Sequence, residues 1–413
     1  MKIALMTNNY KPVVAGVPVS IERLARGLEE MGHEVTVFAP TYREAQEEEE
    51  NVFRYSTCLN HFVGGIVLPN PYDFRIEKAF RENSFDIIHV HHPMLIGRMA
   101  VHLSRKYNIP LVFTYHTRYE QYVNCYTKGI VRMNKFMPHY LRGFMKHCDF
   151  VFAPTDGMRR YLTETCRILP EKTGVLPTGI EKANFDIDPE EGHRIRRKYG
   201  AVKIPLLLTV SRMASEKNVE FLLESLVQVK RNYERPFRML MVGDGPDREA
   251  LEKRSRELGL EDRVVFAGSV PNEETATYFK AADGFLFASK TETQGIVVLE
   301  AFAGGAPVIA VRATGVEDLV EDGADGILTE EDTSEYAAKV AEFLEGVPAY
   351  ERDESRPETI LNIRNKKMAE NALQKAFLFR EEAVALKAIH YYNSVIAENA
   401  AQQKRNIRLL PAG

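Results

Sequence analysis

The four cysteines, Cys58, Cys125, Cys148 and Cys166, include no C-x-x-C pair. Neither a structural zinc site nor a redox dithiol is therefore indicated, and the thiols read as reduced residues of a cytoplasmic protein. Long apolar runs are also missing: no stretch reaches the about 18 apolar residues that a membrane-spanning helix needs. Attachment to a membrane surface stays open. The opening MKIALMT is too short for a signal peptide and reads as a buried strand. Charge of one sign is not in excess. The formal net charge of -4 makes no global case for nucleic acid, while a local patch is still allowed. What is present is an ordinary globular composition, 45% apolar and 27% charged, in 413 residues, too many for one core and suited to two domains.

Apolar strand-like runs alternate with helical patterns. Residues 2–7 lead into a loop at 8–18. A helical repeat at 19–31 then puts Ile21, Leu24, Ala25 and Leu28 on one face, and the strand EVTVFAP follows. Further strands fall at 86–93, 111–117, 150–155 and 173–180. Uninterrupted apolar strands of this kind belong to a parallel sheet covered by helices on both faces. The stretch 181–203 is charged and turn-rich, with a linker at 181–189. The alternation then restarts at 205–213 and continues at 238–246, 263–270, 284–290, 307–311 and 326–329. Residues 350–357 read as a surface excursion, and 364 to about 403 as helical and amphipathic. The fold class is α/β, with two Rossmann-like doubly wound domains facing across a cleft. The first spans 1–183 and is completed by a C-terminal helix from about 385 to 413; the second spans 190–384. Ligands of such sheets bind beyond the carboxyl ends of the strands, so the cleft is the expected site.

The motifs fall at those strand ends. In TETQGIVVLE the strand GFLFASK turns into a helix, and the backbone N–H groups of Gly295, Ile296 and Val297 form a helix start that attracts phosphate. Glu292 lies in the loop before it and Glu300 in the helix; carboxylates accept hydrogen bonds from sugar and ribose hydroxyls. Either glutamate alone would read as a solvated residue. In SRMASEKN, Arg212 and Lys217 follow a buried strand, a pair suited to holding a diphosphate. Seen alone they are a surface cation pair. Gly243, in GDGP, marks a tight strand-to-helix turn, weak evidence for a ligand by itself. Gly16 follows the first strand, where glycine lets backbone approach a phosphate, and His116 ends the strand LVFTYHT. A turn glycine and a polar strand-end residue are the plain alternatives.

In combination these residues resemble the retaining glycosyltransferases of family 4, which have the GT-B fold. The E-x7-E motif is matched by Glu292 and Glu300, the R-x4-K phosphate clamp by Arg212 and Lys217, the first-loop glycine by Gly16 and the strand-end histidine by His116. Ala15 stands where many relatives carry a second glycine. The resemblance runs from Met1 to about Gly346 and implies a set of roles. Arg212 and Lys217 neutralise the leaving diphosphate, aided by backbone at Gly16 and near Gly295. Glu300 holds the ribose, and Glu292 holds donor hydroxyls near O3 and O4. His116 contacts the donor sugar, and backbone around Gly243 and from Gly268 to Val270 meets the nucleotide. It further implies an oxocarbenium-like transition state with front-side attack, and no cofactor or metal, the Arg–Lys pair supplying the positive charge.

The acceptor is read from a basic stretch at 105–147. It carries Arg105, Lys106, Arg118, Lys128, Arg132, Lys135, Arg142 and Lys146 against Glu120, interleaved with Phe136, Tyr140, Leu141 and Phe144. A basic, aromatic, amphipathic helix suits an anionic membrane surface; a cationic face of a soluble enzyme is the alternative. The segment TYHTRYEQYV, with Arg118, Tyr119 and Tyr122, looks closest to the bacterial diacylglycerol glucosyltransferases of the family. That likeness implies UDP-glucose as donor, 1,2-diacylglycerol as acceptor, and a monotopic place on the inner face of the cell membrane. The alternatives are a GDP-mannose-dependent mannosyltransferase acting on a phosphatidylinositol-type or polyprenyl lipid, a soluble transferase with a small acceptor, and a nucleotide-sugar-binding protein without turnover.

Overall fold

The computed structural model describes residues 1–13, 15–42, 50–59, 68–70, 73–119, 137–347 and 359–408. The chain divides into two compact units, Met1–Gly179 with Glu381–Gly413, and Ile180–Arg380. Both are α/β units built on a parallel sheet.

Unit 1 contains β1 (Lys2–Met6), β2 (Glu34–Pro40), β3 (Val52–Tyr55), β4 (Thr57–Leu59), β5 (Leu68–Pro69), β6 (Ile87–Val90), β7 (Leu111–Thr114), β8 (Phe150–Ala153) and β9 (Thr173–Val175). The parallel sheet runs in the order β3-β2-β1-β6-β7-β8-β9, with β4 and β5 a separate antiparallel pair. Alternate residues of each strand enter opposite cores. Ala4, Met6, Ile88, Val90 and Phe113 go to one side, and Ile3, Leu5, Val37, Ile87 and Val112 to the other. That two-sided burial is why the strands have no polar alternation. Strand order reverses between β1 and β6, so the loops leaving their carboxyl ends diverge and open a crevice there.

The structure adds local detail at three places. The first helix is Gly16–Glu30, so Gly16 begins a helix and does not sit in a loop. Pro18 does not delay it, because a proline in the first turn gives up an N–H that has no intrahelical acceptor. Between β2 and β6, where the pattern carries no signal, lie β3, β4, β5 and the helix Phe74–Glu82, whose N-cap Asp73 accepts from Arg75 N at 3.0 Å. The C-terminal helical stretch is two helices, Ile360–Phe377 and Glu381–Arg408. Ile180 N donates to Phe379 O at 2.7 Å, and Ile180 bridges to Arg380. Tertiary pairing breaks the helix at residues 378–380, which contain neither proline nor glycine. The second helix belongs to unit 1 and lies against Gly16–Glu30. A Cβ on Gly27 would stand 3.0 Å from Ala385 Cβ, and Arg26 grips Glu381 with Nε at 3.0 Å and Nη2 at 2.7 Å.

Unit 2 contains β10 (Leu206–Val210), β11 (Arg238–Val242), β12 (Val264–Gly268), β13 (Gly284–Phe287), β14 (Val308–Val311) and β15 (Gly326–Thr329), ordered β12-β11-β10-β13-β14-β15. Its switch point lies between β10 and β13. Leu207, Met239, Met241, Leu286 and Ile309 feed one core, and Leu206, Leu208, Leu240, Phe285 and Val308 the other.

Candidate functional site

The carboxyl ends of β10 and β13 bring the expected clamp and carboxylate into direct contact. Past β10 a short 3-10 turn, Ser215–Lys217, delivers Lys217. Its Nζ lies 2.6 Å from Glu292 Oε1, which also accepts from Ser289 Oγ at 2.9 Å. Burial pulls the Lys217 pKa down, but the charge and hydrogen bond of Glu292 outweigh it and the net shift is upward. Burial pushes Glu292 up, and Lys217 and then Ser289 bring it below its ordinary value. Both groups are thus held charged. Arg212 is exposed two residues past β10, near enough for its charge to oppose that of Lys217.

The helix after this loop, Ile296–Ala303, starts at Gly295 in the left-handed region (φ 76°), with no side-chain cap and no acid in its first turn. Its first N–H groups, at Ile296 and Val297, lie within the few residues that follow Glu292, while Val298 N already donates to Gly295 O at 2.9 Å, and Glu300 is half-buried one turn further on. Such an end, beside a lysine and an arginine, is a place for an anion. Gly243 has another use. A Cβ there would stand 1.9 Å from Ser211 O, and Met213 N donates to Asp244 O at 2.9 Å, so the glycine turn presses on the backbone that carries Arg212. Val270 is half-buried and packs against a core of this unit. Gly315, which the sequence reading missed, supports Glu292 from behind: φ is 83°, and a Cβ would meet Glu292 O at 2.6 Å. A lone A-T-G before an acidic turn carries almost no signal for this.

In unit 1 the strand ends gather four histidines, of which only His116 was expected. His91 Nδ1 lies 2.8 Å from His116 Nε2. His89 stacks on His91 with ring centroids 4.2 Å apart, its nitrogens 2.6 Å from Tyr392 Oη and 2.6 Å from Thr114 Oγ1. His92 Nδ1 accepts from Asn8 N at 3.2 Å, which leaves its proton on Nε2. Burial pushes all four pKa values down, His92 to about 4, His116 to about 3, and His89 and His91 well below the ordinary 6.5. The rings are neutral at pH 7. The signal was visible as HVHHP at the end of a strand, where alternating residues share a face. Gly16 is exposed as the first residue of its helix, and Ala15 caps it without a side-chain bond.

The basic stretch departs from expectation. Tyr122, Lys128, Arg132 and Lys135, together with Glu120 and Phe136, lie outside the described residues, as does the excursion at 350–357. The described helix Met137–Met145 buries Met137, Leu141, Phe144 and Met145 in the core of unit 1, with Phe144 edge-on to Phe113 at 5.2 Å. Its apolar side is used by the fold and cannot also enter a bilayer. Arg118 covers the Tyr161 ring at 4.4 Å, and Tyr119 packs toward the same core. Arg142 is half-buried and Lys146 exposed. What reaches solvent is a row of cations on three neighbouring helices. Phe74–Glu82 carries Lys78 and Arg81, Ile96–Tyr107 carries Arg98, Arg105 and Lys106, and Lys146 follows the third. Lys106 pairs with Glu77, Arg105 reaches His147 at 2.9 Å, and Phe74 stands 82% exposed beside them. Among the described residues no helix is long and apolar enough to cross a membrane.

Comparison with known proteins follows the same division. A family model described as Glycosyltransferase Family 4 matches residues 14–184, and one described as Glycosyl transferases group 1 matches residues 193–357. An alpha-monoglucosyldiacylglycerol synthase of Streptococcus pneumoniae (strain ATCC BAA-255 / R6) is 34% identical over 79% of this chain and 75% of its own. The protein of the same description from Acholeplasma laidlawii is 29% identical over 79% and 84%. A GDP-mannose-dependent alpha-(1-6)-phosphatidylinositol monomannoside mannosyltransferase of Mycolicibacterium smegmatis (strain ATCC 700084 / mc(2)155) is 25% identical over 79% and 84%. Among solved structures, Anabaena HepE in complex with UDP-glucose aligns with a TM-score of 0.72 at 19% identity, over 95% of this chain and 100% of that one. That likeness shows the fold, GT-B. The chain belongs to the glycosyltransferases of family 4.

Proposed function

We propose that the protein transfers glucose from UDP-glucose to a diacylglycerol-type membrane lipid, with retention of the α configuration. The observation that carries the reaction is the Lys217–Glu292 contact at the switch point of unit 2, next to an uncapped helix start. It puts a cation for a leaving diphosphate within one hydrogen bond of a carboxylate for sugar hydroxyls. In this reading Lys217 and Arg212 take the diphosphate with N–H groups at Gly295, Ile296 and Val297, and Glu300 takes the ribose. Glu292 has both of its described bonds on Oε1, and a donor hydroxyl is received by Oε2. In the same reading Gly16 serves the diphosphate and His116 the donor sugar. A neutral His116 adds no positive charge beside an oxocarbenium-like centre. Two cations on the diphosphate do the electrostatic work otherwise given to a metal.

The lipid acceptor is supported by the two alpha-monoglucosyldiacylglycerol synthases and by the cation row of unit 1, which suits the anionic inner face of a cell membrane. Because the apolar side of Met137–Met145 is buried, the attraction is electrostatic, with Phe74 the exposed apolar contact. A GDP-mannose reading is kept by the mannosyltransferase relatives. The test is a panel of UDP- and GDP-sugars with diacylglycerol in mixed micelles, with and without EDTA. Glucosyl-diacylglycerol formed from UDP-glucose, unaffected by EDTA, is expected. Mannolipid from GDP-mannose alone would replace the reading. Nucleotide binding with no product from any donor would reduce the protein to a binder.

A further inference from the structure

A sugar contact through His116 requires one imidazole, and unit 1 supplies three more around it. His91 is 1% exposed, its Nδ1 is 2.8 Å from His116 Nε2, and its own Nε2 is buried with no partner. One proton lies between the two rings. If His116 supplied it, the neutral His91 would carry its proton on Nε2, an N–H buried without an acceptor. If His91 supplies it, the orphan is a bare lone pair. Orphaned buried N–H groups are the rarer of the two, since a donor without an acceptor loses its whole hydration. The second arrangement follows, and it obliges His116 to carry its proton on Nδ1.

The ring of His91 is itself held. His89 lies against it at 4.2 Å, and His89 is fixed at both nitrogens by 2.6 Å contacts to Tyr392 Oη and Thr114 Oγ1. Tyr392 sits fully buried on the last helix. The orientation of His116 thus depends on two rings behind it and on a tyrosine 303 residues further along the chain from His89.

We propose that His91 is a positioning residue: by donating from Nδ1 it holds His116 in its Nδ1–H tautomer and fixes its ring plane, so that His116 meets a sugar or leaving-group oxygen as a neutral N–H donor. The kinetic half rests on the proposed glycosyl transfer; the tautomer half does not.

Two measurements on the full chain separate these halves. Nitrogen-15 NMR of labelled histidines, with His116 assigned through His116→Gln, is expected to show His116 protonated at Nδ1. A predominantly Nε2-protonated His116 overturns the proposal whether or not the protein transfers sugar. In kinetics, His91→Phe keeps a ring against His89 and removes the donor, while His91→Asn places an amide N–H near the position of Nδ1. His91→Phe is expected to lower kcat by about tenfold or more, as loss of an orienting partner does, with KM for the donor within about twofold of wild type. His91→Asn is expected to recover most of that loss. Wild-type kcat in a folded His91→Phe, or equal slowing in both variants at equal thermal stability, overturns the positioning role. Should His91→Phe fail to fold, His91→Asn and the NMR measurement decide. A panel without turnover for any donor sinks the proposed function, and the proton position is still settled by NMR.

Discussion

Removing Lys217 tests the site most directly, because the same contact makes a stability statement and a binding statement. At 2.6 Å the bare attraction to Glu292 is about 6 kcal/mol for an effective dielectric constant of about 20, and desolvation of the two ions cancels most of it. A hydrogen bond to a charged group nets about 1.5–3 kcal/mol. Side-chain exposures of 24% and 18% leave both ions partly wet, so Lys217→Met is expected to cost about 2 kcal/mol, a fall of roughly 4–8 °C in Tm for a unit of this size. Glu292→Gln keeps the Ser289 bond and costs less. In a double-mutant cycle the two substitutions are expected to couple by about 1–2 kcal/mol. The pair's contribution has a defined pH window. The lowered Glu292 stabilises above its ordinary 4.5 and is lost as pH falls through its folded value. The raised Lys217 stabilises below its ordinary 10.5 and is lost as pH rises through its folded value. Between those limits the coupling is constant. Nucleotide binding then separates the partners: Lys217→Met weakens UDP, whereas Glu292→Gln releases the lysine and tightens UDP by about 1 kcal/mol, roughly fivefold, while turnover collapses. Chemical denaturation and UDP calorimetry on the four proteins are the assays. Additivity within about 0.3 kcal/mol, or weaker UDP binding by Glu292→Gln, would refute the reasoning.

The remaining expectations are shorter. Gly315→Ala, whose Cβ would meet Glu292 O at 2.6 Å, is expected to cost at least about 1 kcal/mol more than Gly323→Ala, where φ is also positive and the space is open. It should also lower turnover; equal losses in the two variants would remove Gly315 from the support of Glu292. The four histidines are held neutral, so the unfolded state binds more protons below pH 6.5, and stability is complete above that value and lost below it. At pH 5.5 each contributes up to about 1.4 kcal/mol of loss, and urea denaturation at pH 7 and 5.5 should find a difference of a few kcal/mol that His89→Gln reduces; a flat profile contradicts the burial argument. Replacing Arg98, Arg105 and Lys106 together by glutamate should weaken flotation with anionic vesicles at least about 100-fold, at about 1 kcal/mol per lost cation. Equal binding of the wild type to neutral vesicles would instead remove the electrostatic surface.

Much of this architecture was legible because the parallel strands are apolar on both faces. Runs such as LLLTV and RMLMV name themselves, and the two sheets follow from their alternation with helices. The break at residues 378–380 was not legible, since it is made by Ile180, almost 200 residues earlier in the chain, and by no local breaker. The carboxylate–helix motif could be read because Glu292, Gly295 and Glu300 are near neighbours in sequence. That Lys217 bonds Glu292 across 75 residues could not be read from either segment. The helix Met137–Met145 was misjudged for a similar reason: amphipathicity gives an apolar side without saying whether a core or a bilayer receives it. The histidines fell between these cases, with HVHHP visible and its partners Thr114, His116 and Tyr392 supplied by separate elements.

The helix Glu381–Arg408 belongs to unit 1, although all of unit 2 precedes it in the chain. During synthesis a ribosome therefore finishes unit 2 before unit 1. Until that last helix emerges, Gly16–Glu30 has one side uncovered, Arg26 lacks Glu381 and His89 lacks Tyr392. The contact of His89 with Tyr392 is thus made last, and a message cut short after Arg380 leaves the histidine group without it.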